Sequence, residues 1–83
     1  MNNYYDVATP AELEEHFGYV PSPEEVSEGR ESCARDSDLN NQLLFWLFLD
    51  RGDKKTADSF LNKINDPSRR LDASMLAYEC QPA

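Results

Sequence analysis

The longest apolar run in the chain covers residues 43–49, where seven consecutive positions read LLFWLFL. On a helix, successive side chains lie about 100° apart, so this run points in every direction and has to be enclosed on all sides. We predict a central helix over about residues 39–51, capped by Ser37 or Asp38 and ending near Gly52. A buried strand is the alternative, but no second segment of similar quality is available to pair with it.

Three short segments each place a helix-capping residue directly before a proline. A Ser, Thr or Asp side chain can accept a hydrogen bond from the first helical turn, and proline is tolerated there because its missing N–H would have no partner. Glu12 and Glu25 lie three residues after two of these caps, which allows the reciprocal hydrogen bond of a capping box. The predicted helix starts are Thr9-Pro10, Ser22-Pro23 and Asp66-Pro67.

Narrow apolar stripes mark the helices that would enclose the central one. Leu13 and Phe17 lie one turn apart in a helix from about Pro10 to Phe17, which Gly18 can end in the left-handed conformation. Two further stripes follow the central helix, one between residues 54 and 65 and one after residue 67. They consist of Ala57, Phe60, Leu61 and Ile64 in the first and Leu71, Met75, Leu76 and Tyr78 in the second.

The helix that begins at Pro23 has a weaker pattern. Its apolar residues are only Val26, Cys33 and Ala34. Gly29 in its middle costs about 1 kcal/mol relative to alanine. The sequence is therefore also compatible with partial disorder over residues 27–37.

Together these patterns predict an all-α fold, a small bundle of four to five short helices around the central apolar helix. The 83 residues suffice for one domain, and a chain of this size buries only about 60–65% of the surface that its unfolded form exposes. We divide the single domain, residues 1–83, into an acidic N-terminal half over residues 1–38 and a helical core over residues 39–83.

Charge separates these two halves. Residues 1–38 contain ten acidic and two basic residues, whereas residues 39–83 contain six of each, so the whole net charge of −8 lies in the first half. Phosphates would be repelled by such a surface, which argues against direct binding of nucleic acid or of an anionic membrane. A basic partner is the natural complement.

Nothing at the N-terminus follows the pattern of a secretory signal, and the seven-residue apolar run is far shorter than the roughly 20 residues that cross a bilayer as a helix. We therefore expect a cytoplasmic protein. Cys33 and Cys80 fit no metal-binding spacing, so free thiols are expected in a reducing compartment, with a disulfide between them as the alternative.

Residue pairs that could carry chemistry are few. Glu12 and His16 lie one helical turn apart, which suits two metal ligands or an acid–base pair, but His16 is the only histidine in the chain. A surface Glu–His pair is the simpler interpretation, and we predict no catalytic residues, no metal site, no cofactor and no enzymatic activity. Arg51-Gly52-Asp53 matches the integrin-binding tripeptide, but a match of three residues is common by chance, and we predict instead a helix end at Gly52 followed by a cap at Asp53.

Tyrosines alternate with carboxylates in the acidic half. Aromatic residues of this amphipathic kind are enriched where protein interfaces bind most tightly. We predict a non-catalytic interaction protein that binds a basic protein surface, one form of which is an inhibitor whose carboxylates replace nucleic-acid phosphates. A charged face that only confers solubility is the alternative. The predicted partner-binding residues are Tyr4, Tyr5, Glu14, Glu15, Tyr19, Glu24, Glu25 and Glu28.

Residues 39–65 also permit a helix–turn–helix interpretation, because two predicted helices flank a glycine-containing turn. A nucleic-acid-binding domain would then read DNA through the helix that carries Lys54, Lys55 and Lys63. Asp53, Asp58 and Asp66 offset those lysines, so this remains the alternative function.

The apolar run finally predicts a homodimer. If the short first helix does not stay docked, one side of the central helix is exposed, and large exposed apolar patches are uncommon on monomers. Phe45, Trp46 and Phe48 are the predicted dimer-interface residues.

Overall fold

The computed structural model describes the backbone of residues 3–79 and the side chains of residues 3–75. Within that range the chain forms six helices and no strand, which confirms the predicted all-α bundle. The helices are α1 (Tyr4–Val7), α2 (Pro10–Phe17), α3 (Pro23–Arg35), α4 (Ser37–Asp50), α5 (Lys54–Leu61) and α6 (Pro67–Glu79).

The capping residues begin α2 and α3 as predicted. Thr9 and Glu12 form a complete capping box at α2, and Ser22 and Glu25 form a second one at α3. Gly18 ends α2 with a φ of 80°, in the left-handed region that glycine enters without steric cost. The starts of α2 and α3 therefore follow from hydrogen bonds between residues that are close in sequence.

Two helix starts differ from the prediction. Asn3 caps the one-turn helix α1, which the sequence pattern missed because four residues are too few to show periodicity. Asp36 caps α4 by accepting a hydrogen bond from the Leu39 N–H, so the prediction of Ser37 or Asp38 was wrong by one or two positions. Asp38 instead accepts hydrogen bonds from the backbone N–H groups of residues 65 and 66.

Helix α4 is the central helix, and its side chains enter two apolar clusters. Leu43, Leu44 and Leu47 pack into the first cluster together with residues of α1, α2 and α3. Phe45, which is completely buried, packs into the second. The partners of Phe45 there are Ala57, Ile64 and Ala73. One chain therefore encloses most of the apolar run by itself.

Helix α6 covers α4 with a different face from the predicted one. Leu71 is 59% exposed and Met75 is 47% exposed, whereas Ala73 is fully buried. The small alanine brings the two helices close, and the Trp46 indole N–H donates to the Ala73 carbonyl at 3.2 Å. The predicted stripe was therefore wrong at Leu71 and Met75; the side chains of its members at positions 76 and 78 lie outside the described residues.

The turn between α4 and α5 has the structural role that the helix-end interpretation of Arg51-Gly52-Asp53 predicts. Gly52 has a φ of 83°, and the Asp53 side chain accepts a hydrogen bond from the Thr56 N–H at 3.1 Å, which caps α5. Arg51 turns back towards α2 and donates to Glu12. A helix end followed by a helix cap is confirmed here.

Helix α3 is continuous through residues 23–35, including positions where the sequence also permitted disorder. The Tyr5 ring of α1 lies directly on Gly29, because a Cβ placed on Gly29 would lie only 2.3 Å from the Tyr5 Cζ atom. The glycine that weakens the helical pattern is therefore the position where another helix approaches most closely. Among the described residues, no helix combines the length and the apolar character needed to cross a bilayer.

Candidate interaction surface

The acidic half contains ten carboxylates, and six of them have structural partners. Asp6 pairs with Arg30, Glu12 with Arg51, Glu31 with Arg35 and Asp36 with Arg69. The other two are held by hydrogen bonds. Glu25 accepts from Tyr19 and Ser22, and Asp38 accepts from the backbone before α6.

The remaining four carboxylates are exposed and form no ion pair or hydrogen bond within the described part of the chain. Glu14 and Glu15 lie on α2, and Glu24 and Glu28 lie one turn apart on α3. Like charges at this helical spacing destabilise a helix by about 0.2–0.5 kcal/mol. These four residues add negative charge to the surface; Glu24 also lies in the first turn of α3, where the helix dipole favours a negative charge.

Exposed apolar side chains lie between the two helices that carry these carboxylates. Tyr19 is 52% exposed and Val20 is 73% exposed, in the segment that joins α2 to α3. Val20 was missed at the sequence level, since one valine in a loop carries no periodic signal. We use the name acidic surface for Glu14, Glu15, Glu24 and Glu28 together with Tyr19 and Val20.

Tyr19 is held in place by Glu25. Its hydroxyl donates to the Glu25 carboxylate, which raises the pKa of Tyr19 and lowers the pKa of Glu25. Glu25 also completes the capping box of α3, so its carboxylate is already occupied. Of the predicted partner-binding glutamates, Glu25 is the one with a structural task.

The other two predicted tyrosines face inwards. Tyr4 is 3% exposed and belongs to the core, so it is not part of the acidic surface, and its role in partner binding stays a prediction; the Tyr4 ring packs edge-on against the Tyr5 ring at 5.1 Å. Tyr5 is half-buried between Gly29 and the rings of Tyr4 and Phe17. Both tyrosines help to pack α1 and α2 on the bundle. From the sequence we had predicted only Leu13 and Phe17 for such packing.

The predicted dimer-interface residues also lie against their own chain. Phe45 is fully buried, so it is not available to a second copy. Trp46 and Phe48 are half-buried, and the Phe48 ring stacks on Phe60 at 5.5 Å with the Arg51 guanidinium over its face. The homodimer stays a prediction, although every residue of the apolar run 43–49 is buried or half-buried within its own chain.

Glu12 and His16 each contact other residues of the fold. Glu12 accepts two hydrogen bonds from Arg51, at 2.6 and 2.8 Å, and these lower the pKa of Glu12 to about 2. The His16 ring packs against the rings of Tyr4 and Phe17. The described residues contain no group of three or more potential metal ligands. Glu12 is therefore a structural carboxylate that joins α2 to the end of α4.

Cys33 is a free thiol in the core, and burial raises its pKa. A buried thiol of this kind behaves as a small apolar side chain. Cys80 lies outside the described residues.

Helices α4 and α5 pack against each other across the turn at residues 51–53, as a helix–turn–helix interpretation requires. Helix α5 has eight residues, with Lys54 and Lys55 in its first turn, and Lys63 follows its end with its ammonium over the Phe60 ring. Asp53 caps this helix at the same end as the two lysines. The positive charge of α5 is therefore small and locally offset.

No protein-family model, curated protein or solved structure matches this chain.

Proposed function

We propose that the protein is a non-catalytic interaction protein that binds a basic surface of another protein through its acidic surface. The observation that carries the proposal is the division of the ten carboxylates. Six serve the fold, and the four exposed ones raise the electrostatic energy of the folded chain without a compensating contact. A cationic partner would supply that contact.

Tyr19 and Val20 add exposed apolar side chains to the acidic surface, in the segment that joins α2 to α3. Interfaces commonly combine a few well-packed aromatic or aliphatic anchors with a polar surround. Tyr19 suits this role because its hydrogen bond to Glu25 fixes the ring before binding, which lowers the entropy lost in the complex. The four unpaired carboxylates of the acidic surface would steer a basic partner and raise the association rate.

A surface that normally holds DNA or RNA is the basic surface that we propose for the partner. Such surfaces carry lysine and arginine side chains arranged for phosphates, and carboxylates can replace those phosphates. The protein would then act as an inhibitor that competes with nucleic acid. We place this activity in the cytoplasm, where the free thiol of Cys33 would stay reduced.

The test is affinity capture from an extract of the source cell, followed by identification of the captured protein. The bait is the full chain in three forms. The first is the native sequence, and the second carries Glu→Gln changes at positions 14, 15, 24 and 28. The third is a charge-matched control with Asn62→Lys, Asn65→Lys and Asp72→Lys, which changes the net charge by the same four units on exposed positions of the other half.

We expect the native chain and the control to capture the same basic protein, and we expect the four-glutamine variant to lose it. Duplex DNA or RNA added to the extract should release the captured protein. Equal capture by all three baits would show that the acidic surface serves solubility only.

A further inference from the structure

A small cavity opens between α1, α2 and α4. Its volume is about 110 Å³, compared with roughly 150 Å³ for an engineered cavity that holds benzene. Leu43 and Leu47 of α4 line its apolar side, and Trp46 contributes an aromatic side chain. The cavity therefore has room for one small group carried on a flexible stem.

Tyr4 is the buried polar side chain that lines this cavity. Its backbone N–H donates to the Asn40 Oδ1 atom at 2.7 Å, but its hydroxyl forms no hydrogen bond within the described part of the chain. Burial, together with Tyr5 and the charges of Glu12 and Asp50, raises the pKa of Tyr4 to about 12, so the hydroxyl keeps its proton. The hydroxyl lines the open cavity and is not one of the fully buried atoms that lack a partner in the described part of the chain, so a group that enters the cavity can reach it.

Three carboxylates and one imidazole, that of His16, line the cavity. Glu12 lines it but is already neutralised by Arg51, whereas Glu15 and Asp50 form no ion pair within residues 3–75. Aromatic rings add to the attraction for a cation, because the face of Trp or Tyr carries partial negative charge. Charge and ring chemistry therefore both favour a positively charged group.

We propose that this cavity binds the guanidinium group of an arginine side chain of the basic partner, an inference that rests on the proposed function for the source of that arginine. The guanidinium group is planar, weakly hydrated and able to stack on an aromatic ring. Its five N–H groups can donate to the Tyr4 hydroxyl oxygen and to the carboxylates of Asp50 and Glu15. An ammonium group offers three donors from one point and stacks less well.

The test titrates the full chain with N-acetyl-arginine methylamide and follows Trp46 fluorescence, since this is the only tryptophan. We expect saturable binding with a Kd of about 1 mM, as suits a ligand of this size. The citrulline analogue has the same shape without the charge and should not saturate. The lysine analogue should bind several-fold more weakly. Equal binding of citrulline or of lysine would overturn the guanidinium assignment.

Variants outside the acidic surface separate this inference from the proposed function. Asp50→Asn should weaken arginine binding about tenfold and Tyr4→Phe several-fold, because each removes one hydrogen-bonding group. Asp72→Asn, at an exposed position of α6 outside both the cavity and the acidic surface, is the matched control and should bind as the native chain does. Native affinity in both Asp50→Asn and Tyr4→Phe would overturn the cavity site.

Partner capture then gives an independent result. A partner that binds through the acidic surface with unchanged affinity for Asp50→Asn would overturn the cavity inference and leave the proposed function in place. Arginine binding that Asp50→Asn weakens as expected, with no basic protein captured by the native chain, would support the cavity and overturn the proposed function.

Discussion

Gly29 offers a prediction in which two effects of known size act in opposite directions. In the interior of α3, alanine is favoured over glycine by about 0.8–1.0 kcal/mol of helix propensity. The added methyl group, however, would lie 2.3 Å from Tyr5 Cζ and 2.4 Å from the Tyr5 hydroxyl oxygen. These distances are shorter than any van der Waals contact, so the Tyr5 ring has to move.

Moving the ring disturbs its packing against Tyr4, at 5.1 Å, and Phe17, at 6.4 Å between ring centroids. Overpacking of this kind costs about 1–3 kcal/mol, and each aromatic pair contributes about 0.5–1.5 kcal/mol. Subtracting the gain in helix propensity, we expect Gly29→Ala to lower the free energy of unfolding by about 1 kcal/mol.

A double-mutant cycle with Tyr5→Ala makes the reasoning testable. Without the Tyr5 ring the methyl group meets no obstacle, so Gly29→Ala should raise the free energy of unfolding by about 1 kcal/mol in that background. The coupling free energy between the two positions is then about 2 kcal/mol. Ser27→Ala, at an exposed site on the same helix, is the control and should have the same small effect in both backgrounds.

Urea unfolding followed by circular dichroism measures all four corners of the cycle, and the helical signal of the Tyr5→Ala chain first establishes that it folds. The refuting result is a Gly29→Ala change that stabilises both backgrounds equally. The Tyr5 ring would then not lie on α3, and the docking of α1 would need another explanation.

Three further predictions follow from the structure. Because hydrogen bonds from Arg51 lower the pKa of Glu12 from 4.5 to about 2, this pair should stabilise the fold above pH 4.5 and lose its effect as the pH falls towards 2. Glu12→Gln should therefore lower the free energy of unfolding by about 1–2 kcal/mol at neutral pH, after allowance for solvent screening, and change it very little near pH 2. If urea unfolding gives the same difference between the two chains at both pH values, this reasoning is contradicted. The native chain should give no gel shift with duplex DNA at modest concentration, and a shift that weakens steeply with salt would favour the helix–turn–helix function. The fluorescence of Trp46 should be blue-shifted in the folded chain and should move to the red on unfolding, since its indole N–H donates a hydrogen bond within the bundle. Sedimentation equilibrium of the same sample then gives the oligomeric state: a dimeric mass would support the homodimer, and a monomeric mass would refute it.

Sequence patterns were sufficient for the helices whose starts depend on local chemistry. Thr9 and Ser22 act on N–H groups three residues away, so the boundaries of α2 and α3 can be read from a few consecutive residues. The apolar run identified α4 as the central helix for a similar reason. Which face of α6 meets α4 depends instead on the close approach of the two helices at Ala73. A hydrophobic pattern favours the larger residues Leu71 and Met75 over an alanine, so it predicts the wrong face.

The acidic surface could be predicted only in outline. The charge imbalance showed which half of the chain carries the carboxylates, but it did not show which of them are used by the fold. Three of the four ion pairs described above join residues that are distant in sequence: Asp6 and Arg30 are 24 positions apart, Asp36 and Arg69 are 33 apart, and Glu12 and Arg51 are 39 apart. The burial of Tyr4 could not be predicted for the same reason, because the helices that bury it are formed by later residues.

Titration calorimetry between the captured partner and the purified chain tests the central claim most directly. The native chain, the four-glutamine variant and the charge-matched control are each titrated at several salt concentrations. We predict that the affinity of the native chain and of the control falls with salt, and that the variant binds more weakly at low salt and depends less on salt, because fewer charge pairs form. Equal affinity and equal salt dependence for all three chains would contradict a role for the acidic surface in binding.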